Sequence, residues 1–437
     1  MAETGSANPR PEFPAPQAEQ KPSKGAVAAW CLFDWANSAF PTVIITFVFA
    51  QYVTKVVAPD VIAGTAAWGQ MISLSALGIA LLAPILGAIA DHSGRRKPWI
   101  FVFMLICVVV GCGLWGVKPE PGYLLLALVL VAVSNAGFEF GQVFYNAMLP
   151  DLAPRRLLGR VSGWAWACGY AGGIACLAFC LLAFALPEQP ILGLDKASYE
   201  QVRITGPFVA LWFALFALPM FLLTPDRPAS PLSTGQAIRR GLATLWGTIR
   251  QLPRYGNIAR FLLARLFYID GLTTLFAFGG IYAAGTFGMA FEEVLFFGIL
   301  LNVTAGLGAV AFAWIDDWLG SKPTILIAVA GLTVFGAAIL VVESKTAFYV
   351  LGCVIGLFIG PAQAASRTMM ARLAPADMRT EMFGLFAFSG KATAFLGPAL
   401  VGWATLATDS QRLGMATILV FFVIGGLLML PVKEPRE

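Results

Sequence analysis

Gly87-Ala88-Ile89-Ala90-Asp91-His92-Ser93-Gly94-Arg95-Arg96-Lys97 is a short polar, basic stretch between two long apolar ones, at 68–90 and 99–117. Its frame, Asp91-x-x-Gly94-x-x-Lys97-Pro98, returns later as Asp317-x-x-Gly320-x-Lys322-Pro323. Other pieces return too. Asp34-x-x-Asn37-Ser38-x-Phe40 is echoed by Asp270-x-x-Thr273-Thr274-x-Phe276. At an offset of 221 residues, Gly141-Gln142 pairs with Ala362-Gln363, Leu152-Ala153-Pro154 with Leu373-Ala374-Pro375, Gly163 with Gly384, and Gly169 with Gly390. Three motifs repeated in corresponding order describe a chain made of two related halves.

What surrounds these motifs is apolar. Of the 437 residues, 58% are hydrophobic and only 12% charged, against about 25% charged in soluble domains. A soluble globule of this length cannot hide so much apolar surface, so the composition excludes an ordinary soluble enzyme. A membrane-spanning helix needs about 20 apolar residues. Twelve such segments can be placed, at 26–54, 68–90, 99–117, 121–148, 160–187, 206–224, 258–286, 292–315, 323–342, 346–371, 380–407 and 412–431. The expectation is an all-α polytopic membrane protein with twelve transmembrane helices in two pseudo-symmetric six-helix bundles. Residues 1–24 are expected to be a disordered tail, 25–224 the N-terminal bundle, 225–257 a linker, 258–431 the C-terminal bundle and 432–437 a short tail. A parallel six-plus-six repeat places a substrate site near the midplane, between halves that rock.

Charge placement orients the chain. Twenty Lys and Arg residues fall in the tails and loops of one side, including Arg95, Arg96, Arg155, Arg160, Arg227, Arg367 and Arg372, against six on the other. By the positive-inside rule both termini are cytoplasmic, and an even number of helices requires the same. The linker carries Pro225, Pro228, Pro231 and Pro253 around a basic amphipathic piece, Gln236 to Arg250. It is expected to lie at the membrane surface, with a regulatory partner site as the alternative. The seven cysteines all lie in apolar stretches, and the chain has one histidine, His92. Neither a disulfide framework nor a metal site follows, no cofactor is implied, and no basic run reads as a nucleic-acid patch.

Residues 87–97 resemble the cytoplasmic loop signature of the major facilitator superfamily, and the copy at 313–322 is a degenerate version with Ala313 at the first glycine position. The resemblance implies a gating loop that does not touch substrate, built on Gly87, Asp91, Gly94, Arg95 and Arg96, with Asp317 and Gly320 in the second copy. Trp30-x-x-Phe33-Asp34-Trp35-Ala36-Asn37-Ser38-Ala39-Phe40, Asn146-Ala147-Met148-Leu149-Pro150, Gly159-Arg160-Val161-Ser162-Gly163-Trp164 and Ser389-Gly390-Lys391-Ala392-Thr393 look like the vacuole-effluxer-like branch, which includes the autophagy-related amino-acid effluxer of fungi. That likeness implies a secondary transporter for a small solute such as an amino acid.

Charges inside apolar segments cost roughly 2.5–3.5 kcal/mol each on insertion scales. Asp34, Glu139, Asp270 and Lys391 are such charges, whereas Arg265 lies near enough to a helix end to snorkel. With Asn37, Ser38, Gln142 and Gln363 they form a candidate substrate and coupling cavity. One reading has the carboxylates and the ammonium holding a zwitterion or carrying a coupling proton. The other has Glu139 and Lys391 as an inert buried pair. Pro41 frees the carbonyl of Asn37 for a polar contact, or else merely kinks its helix. With no P-loop in the sequence, ATP-driven pumping is excluded within this chain. Gly169-Tyr170-Ala171-Gly172-Gly173 lacks the Gly-Pro of the superfamily's antiporter signature, although Gly397-Pro398 keeps a drug/proton antiporter open. The expectation is a monomeric, proton-coupled transporter in the cell (inner) membrane, working by alternating access. A non-transporting assembly factor or sensor on the same fold is the rival.

Overall fold

A computed structural model describes residues 23–250 and 255–435; the tail expected before Ser23 lies outside them. Among the described residues, eleven helices are long and apolar enough to cross a membrane. In chain order, the first six are α1 (Lys24–Val57), α2 (Val61–Ser93), α3 (Lys97–Gly116), α4 (Pro121–Leu152), α5 (Arg155–Ala185) and α6 (Glu200–Leu223). The linker helix is α7 (Thr234–Arg250). Then come α8 (Gly256–Phe287), α9 (Glu292–Leu319), α10 (Ser321–Val341), α11 (Lys345–Leu373) and, last of the long ones, α14 (Gln411–Met429). Between these last two the expected span at 380–407 is split into α12 (Arg379–Ser389) and α13 (Leu396–Thr408). The eleventh of the twelve expected crossings is therefore a broken helix. Pro398 gives the cause: it has no N–H to donate, and its ring clashes with the carbonyl four residues back, that of Ala394. The position 221 residues earlier is Leu177, within an unbroken stretch of α5.

Helix ends are closed locally. Asp60 accepts from the Ala63 N–H at 2.8 Å to start α2, and Ser344 and Ser410 do the same for α11 and α14. In α1 the regular winding stops at Asn37 and a wider, π-wound stretch runs from Phe40 to Phe47. Pro41 sits at its start, which is where the winding has to change.

The two halves meet through equivalent helices. α2 packs on α12, and α5 packs on α9; exchanging the halves turns one pair into the other. Small residues make both contacts close. A Cβ added at Gly163 on α5 would sit 2.6 Å from the Ala309 carbonyl and from Ala313. A Cβ at Gly384 on α12 would sit 2.5 Å from the Ala83 carbonyl. Gly163 and Gly384 are the pair that the 221-residue offset matched. Between membrane helices there is little hydrophobic drive, so close backbone approach supplies the attraction.

The same pattern closes each half on itself. Asp226, just after α6, accepts from the Arg96 and Lys97 N–H groups at 2.9 and 3.2 Å. Glu434, just after α14, accepts from the Ser321 and Lys322 N–H groups at 2.8 and 2.9 Å. An anion on a helix N-terminus is favoured by the exposed amides and the helix dipole. Residues 432–435 are thus tied to the bundle. Replacing Gly384 with Leu should push α2 from α12 and lower stability by about 1–3 kcal/mol. Gly78→Leu, where a Cβ meets nothing within 4 Å, should not. Unfolding midpoints of the two variants in detergent check the contrast.

Candidate functional site

The best-formed cavity holds about 360 Å³. Its walls come from α1, α5, α8, α9, α10, α11 and α14, from the middles of these helices to their ends remote from the Asp91 loop. The lining is mainly aromatic and aliphatic, and no charged side chain contributes to it among the described residues. A few polar groups converge there: Ser38, Thr42 and Thr46 of α1, Asn302 of α9, and Tyr170 and Gln363, whose hydroxyl and amide oxygen are 2.5 Å apart across the halves. Glycines let α1 reach this wall, since Cβ atoms at Gly169 and Gly173 would lie 2.7 and 2.5 Å from the hydroxyls of Ser38 and Thr42. An apolar pocket with sparse, convergent polar groups suits a small solute.

Of the eight residues expected around the cavity, Ser38 and Gln363 line it. Asp34 lies one turn before Ser38, toward the Asp91 side, and Asn37 directly beside Ser38, both buried. Asp34 meets Arg367 of α11, with Oδ2 and the guanidinium 2.9 Å apart and both side chains almost fully buried. Asn37 stands 3.5 Å from the other Asp34 oxygen. The Arg367 guanidinium also donates to the Ser162 hydroxyl and carbonyl at 2.9 and 2.6 Å and to Asn146 at 3.2 Å. It is packed among the rings of Trp30, Tyr145 and Trp166, with centroids 4.9, 6.0 and 5.6 Å away. Asn146 and Arg367 are 221 residues apart, so two equivalent positions of the repeat touch each other at the junction of the halves.

Arg367 is the residue that sequence reasoning missed. It was counted among the basic loop charges, as was Arg372, which is buried against Asp316 and Glu434 at 2.9 and 2.6 Å. The signal was present: Arg367 falls inside the apolar segment 346–371. Arg265 also needs correcting. It does not snorkel; it is buried, stacks 3.4 Å from the Phe386 ring centre, and donates to the Phe386 carbonyl and the Ser389 hydroxyl.

The remaining expected charges lie elsewhere. Lys391 falls in the break between α12 and α13 and pairs with Glu139 of α4 at 2.6 Å. Gln142 is half-buried near it on α4, while Asn135 donates to Ser75 of α2. Asp270 on α8 is 3% exposed and has no ion-pair partner among the described residues; the Gly397 N–H and the Thr393 hydroxyl are the donors that face it.

The Asp91 face is shut. Asp91 accepts from the Thr380 and Glu381 N–H groups of α12 at 3.0 and 2.8 Å. Asp317 of α9 accepts from the Gly159 and Arg160 N–H groups of α5 and pairs with the Arg160 guanidinium at 2.6 Å. Gly94 and Gly320 follow with φ of 83° and 101°, a conformation that favours glycine. Gly87 packs against the Thr380 backbone. Arg96 is buried between Ala147, Asp151 and Thr380, whereas Arg95 is exposed. Asp151 gathers Arg96, Arg227 and Arg379.

Two interlocked half-chains, a polar-flecked cavity and a bolted face are the anatomy of a transporter. Residues 56–437 match the family described as vacuole effluxer Atg22 like. The chain belongs to that family. This Atg22-like protein is 28% identical over 416 residues to an uncharacterised MFS-type transporter, YxiO, of Bacillus subtilis, covering 93% of this chain and 94% of that one. It is 28% identical over 288 residues to autophagy-related protein 22 of Cryptococcus neoformans, covering 61% of this chain but 48% of the fungal protein. Among solved structures it resembles FucP, an MFS transporter in the outward conformation, with a TM-score of 0.72 at 13% identity over 94% of this chain and all of that one. It also resembles the proton:xylose symporter XylE, with a TM-score of 0.70 at 14% identity over 94% and 96% of the two chains. The fold is that of the major facilitator superfamily, and the Atg22-like chain is an integral membrane transport protein, not an enzyme.

Breaking a buried ion pair from one side leaves an uncompensated charge, at a cost of about 3–5 kcal/mol. Arg367→Met should therefore destabilise the protein strongly, because Asp34 keeps only neutral neighbours such as Asn37 and Tyr145. Asp34→Asn should cost much less, because Arg367 keeps Ser162, Asn146 and three rings. Adding Asp34→Asn to Arg367→Met should recover much of the loss, read as unfolding midpoints in a double-mutant cycle.

Proposed function

We propose that this chain is a secondary active transporter that carries a small polar solute, of the amino-acid class, by alternating access. One observation carries the reading. The cavity is walled by both halves, and the face that holds the Asp91 and Asp317 contacts is closed behind it, with the Asp34–Arg367 pair at the junction between them. For the halves to rock, the α2–α12 and α5–α9 contacts must part on that face, and a solute in the cavity is then released to the other side. The basic excess supports a cytoplasmic position for this closed face, in a cell (inner) membrane on this reading, which makes the state outward-facing.

The family description, vacuole effluxer Atg22 like, supports an effluxer-type cargo, and a carboxylate buried between the halves supports proton coupling. The lining fits a solute whose bulk is apolar and whose polar end meets Ser38, Asn302, Tyr170 and Gln363. In this reading Asp34 carries the coupling proton. While ionised it holds Arg367 and keeps the halves together; once protonated it lets go, because the attraction depends on its charge. The Glu139–Lys391 pair is a second bridge across the halves and takes part in binding only if a solute carboxylate displaces Glu139. A monomer is sufficient, since each half supplies part of the cavity.

Purified protein in proteoliposomes, offered labelled amino acids with and without a pH gradient, tests this. Substrate-specific uptake that the gradient drives is expected, and no transport of any amino acid under either condition would sink the assignment. Asp34→Asn should retain counterflow exchange while losing accumulation driven by the gradient. Asp91→Asn, in the gate rather than the cavity, should slow transport but leave equilibrium binding within a few-fold. A hundredfold loss of binding in a folded Asp91→Asn protein would place the loop in the site.

A further inference from the structure

The linker helix α7 has more apolar surface than its docking uses. Its start is set by a reciprocal cap, in which the Ser233 N–H donates to the Gln236 side chain and the Gln236 N–H to the Ser233 hydroxyl. One face is docked on α2. Ala237, Leu245 and Thr248 are buried, and a Cβ at Gly241 would lie 2.8 Å from the Ile89 backbone. The Thr244 hydroxyl sits 2.8 Å from His92 Nε2. Beside this face runs a second stripe, Ile238, Leu242 and Trp246, which are 40%, 45% and 56% exposed. At four-residue spacing these three side chains spread over about 80° of the helix.

Arg239 and Arg250 follow at the far border of that stripe, both exposed, with the Arg250 guanidinium 5.1 Å over the Trp246 ring. Thr234–Arg250 contains three arginines and no acidic residue. α7 lies against Ile89 and His92, at the last turns of a membrane-spanning helix, so its height is that of the headgroups. An apolar stripe edged by Trp and Arg at that height is the pattern of a helix lying in the interface.

We propose that α7 binds anionic lipid of the bilayer, with Ile238, Leu242 and Trp246 entering the acyl boundary and Arg239 and Arg250 holding the headgroup phosphate. The bilayer, rather than a protein, is the occupant, because the charge on this face is of one sign and the helix already stands at the membrane's edge. The bound lipid holds α7 onto α2, beside the Asp91 contact and over Glu381, which faces Thr248. A basic residue near an anionic surface contributes about 1 kcal/mol, so two arginines correspond to roughly a tenfold or greater effect.

The test is hydrogen–deuterium exchange across residues 234–250 in the full-length protein, in nanodiscs of phosphatidylcholine alone or mixed with phosphatidylglycerol. Exchange should slow about tenfold with phosphatidylglycerol. Arg239→Gln with Arg250→Gln should erase that increment without altering exchange in pure phosphatidylcholine, and Arg239→Lys with Arg250→Lys should keep most of it. Equal exchange in the two lipids overturns the proposal. So does a full increment in the glutamine variant, which would remove the arginines from the site. Inorganic phosphate added to phosphatidylcholine discs should have no effect; the same slowing there would make the ligand a free anion and not a lipid.

Discussion

Hydrocarbon offers no partner to a charge, so a charge buried in one helix is most readily kept where another helix supplies its counterpart. The Asp34–Arg367 pair shows what that demand does to the architecture. Asp34 is on α1 and Arg367 on α11, so the charge balance of one half is completed by the other. The same holds for Glu139 with Lys391 and for Asp317 with Arg160. A bundle stabilised only by internal contacts in each half would need no such bridges. Here three such bridges join one half to the other.

The duplication makes these contacts readable in pairs, and the departures from it are informative. Asp91 and Asp317 do the same work, each accepting two amides at the start of the opposite half's helix. Asp317 also takes the guanidinium of Arg160, whereas the matching position beside Asp91 is Glu381, a buried acid. Asp91 instead has Arg96 and Arg379 in its surroundings. The break between α12 and α13 is likewise confined to one half, because Pro398 has only Leu177 as its counterpart. Asn146 and Arg367 share a repeat position but differ in charge, which is what lets one polar residue receive the other at the junction of the halves.

The cavity takes its character from what is kept out of it. Charges are neutralised around the junction, leaving a lining of rings, aliphatic chains and a few hydroxyl and amide groups. Close-packed glycines on α5 are what bring the hydroxyls of α1 to that wall. The stretch Gly169 to Gly173, unremarkable as a motif for antiport, is therefore a docking strip for α1.

Much of this was legible in one dimension. Composition and segment lengths dictate a membrane-spanning helical protein, because apolar runs of this number and length have no other stable solution in water. The repeat dictates two equivalent halves, and Asp91-x-x-Gly94 with its copy marks the capping turns, since those residue types are chosen by local backbone and dipole requirements. Asp34, Glu139 and Lys391 stood out because a charge in an apolar run is costly wherever it lies. Which charge meets which was not legible. Arg367 sits close enough to a helix end to pass for a loop residue, and Asp34 has no sequence neighbour that names its partner 333 residues away. Partner choice and the exclusion of those charges from the cavity lining depend on how helices of opposite halves pack. That packing sums many distant contacts, and no local stretch of the chain encodes it.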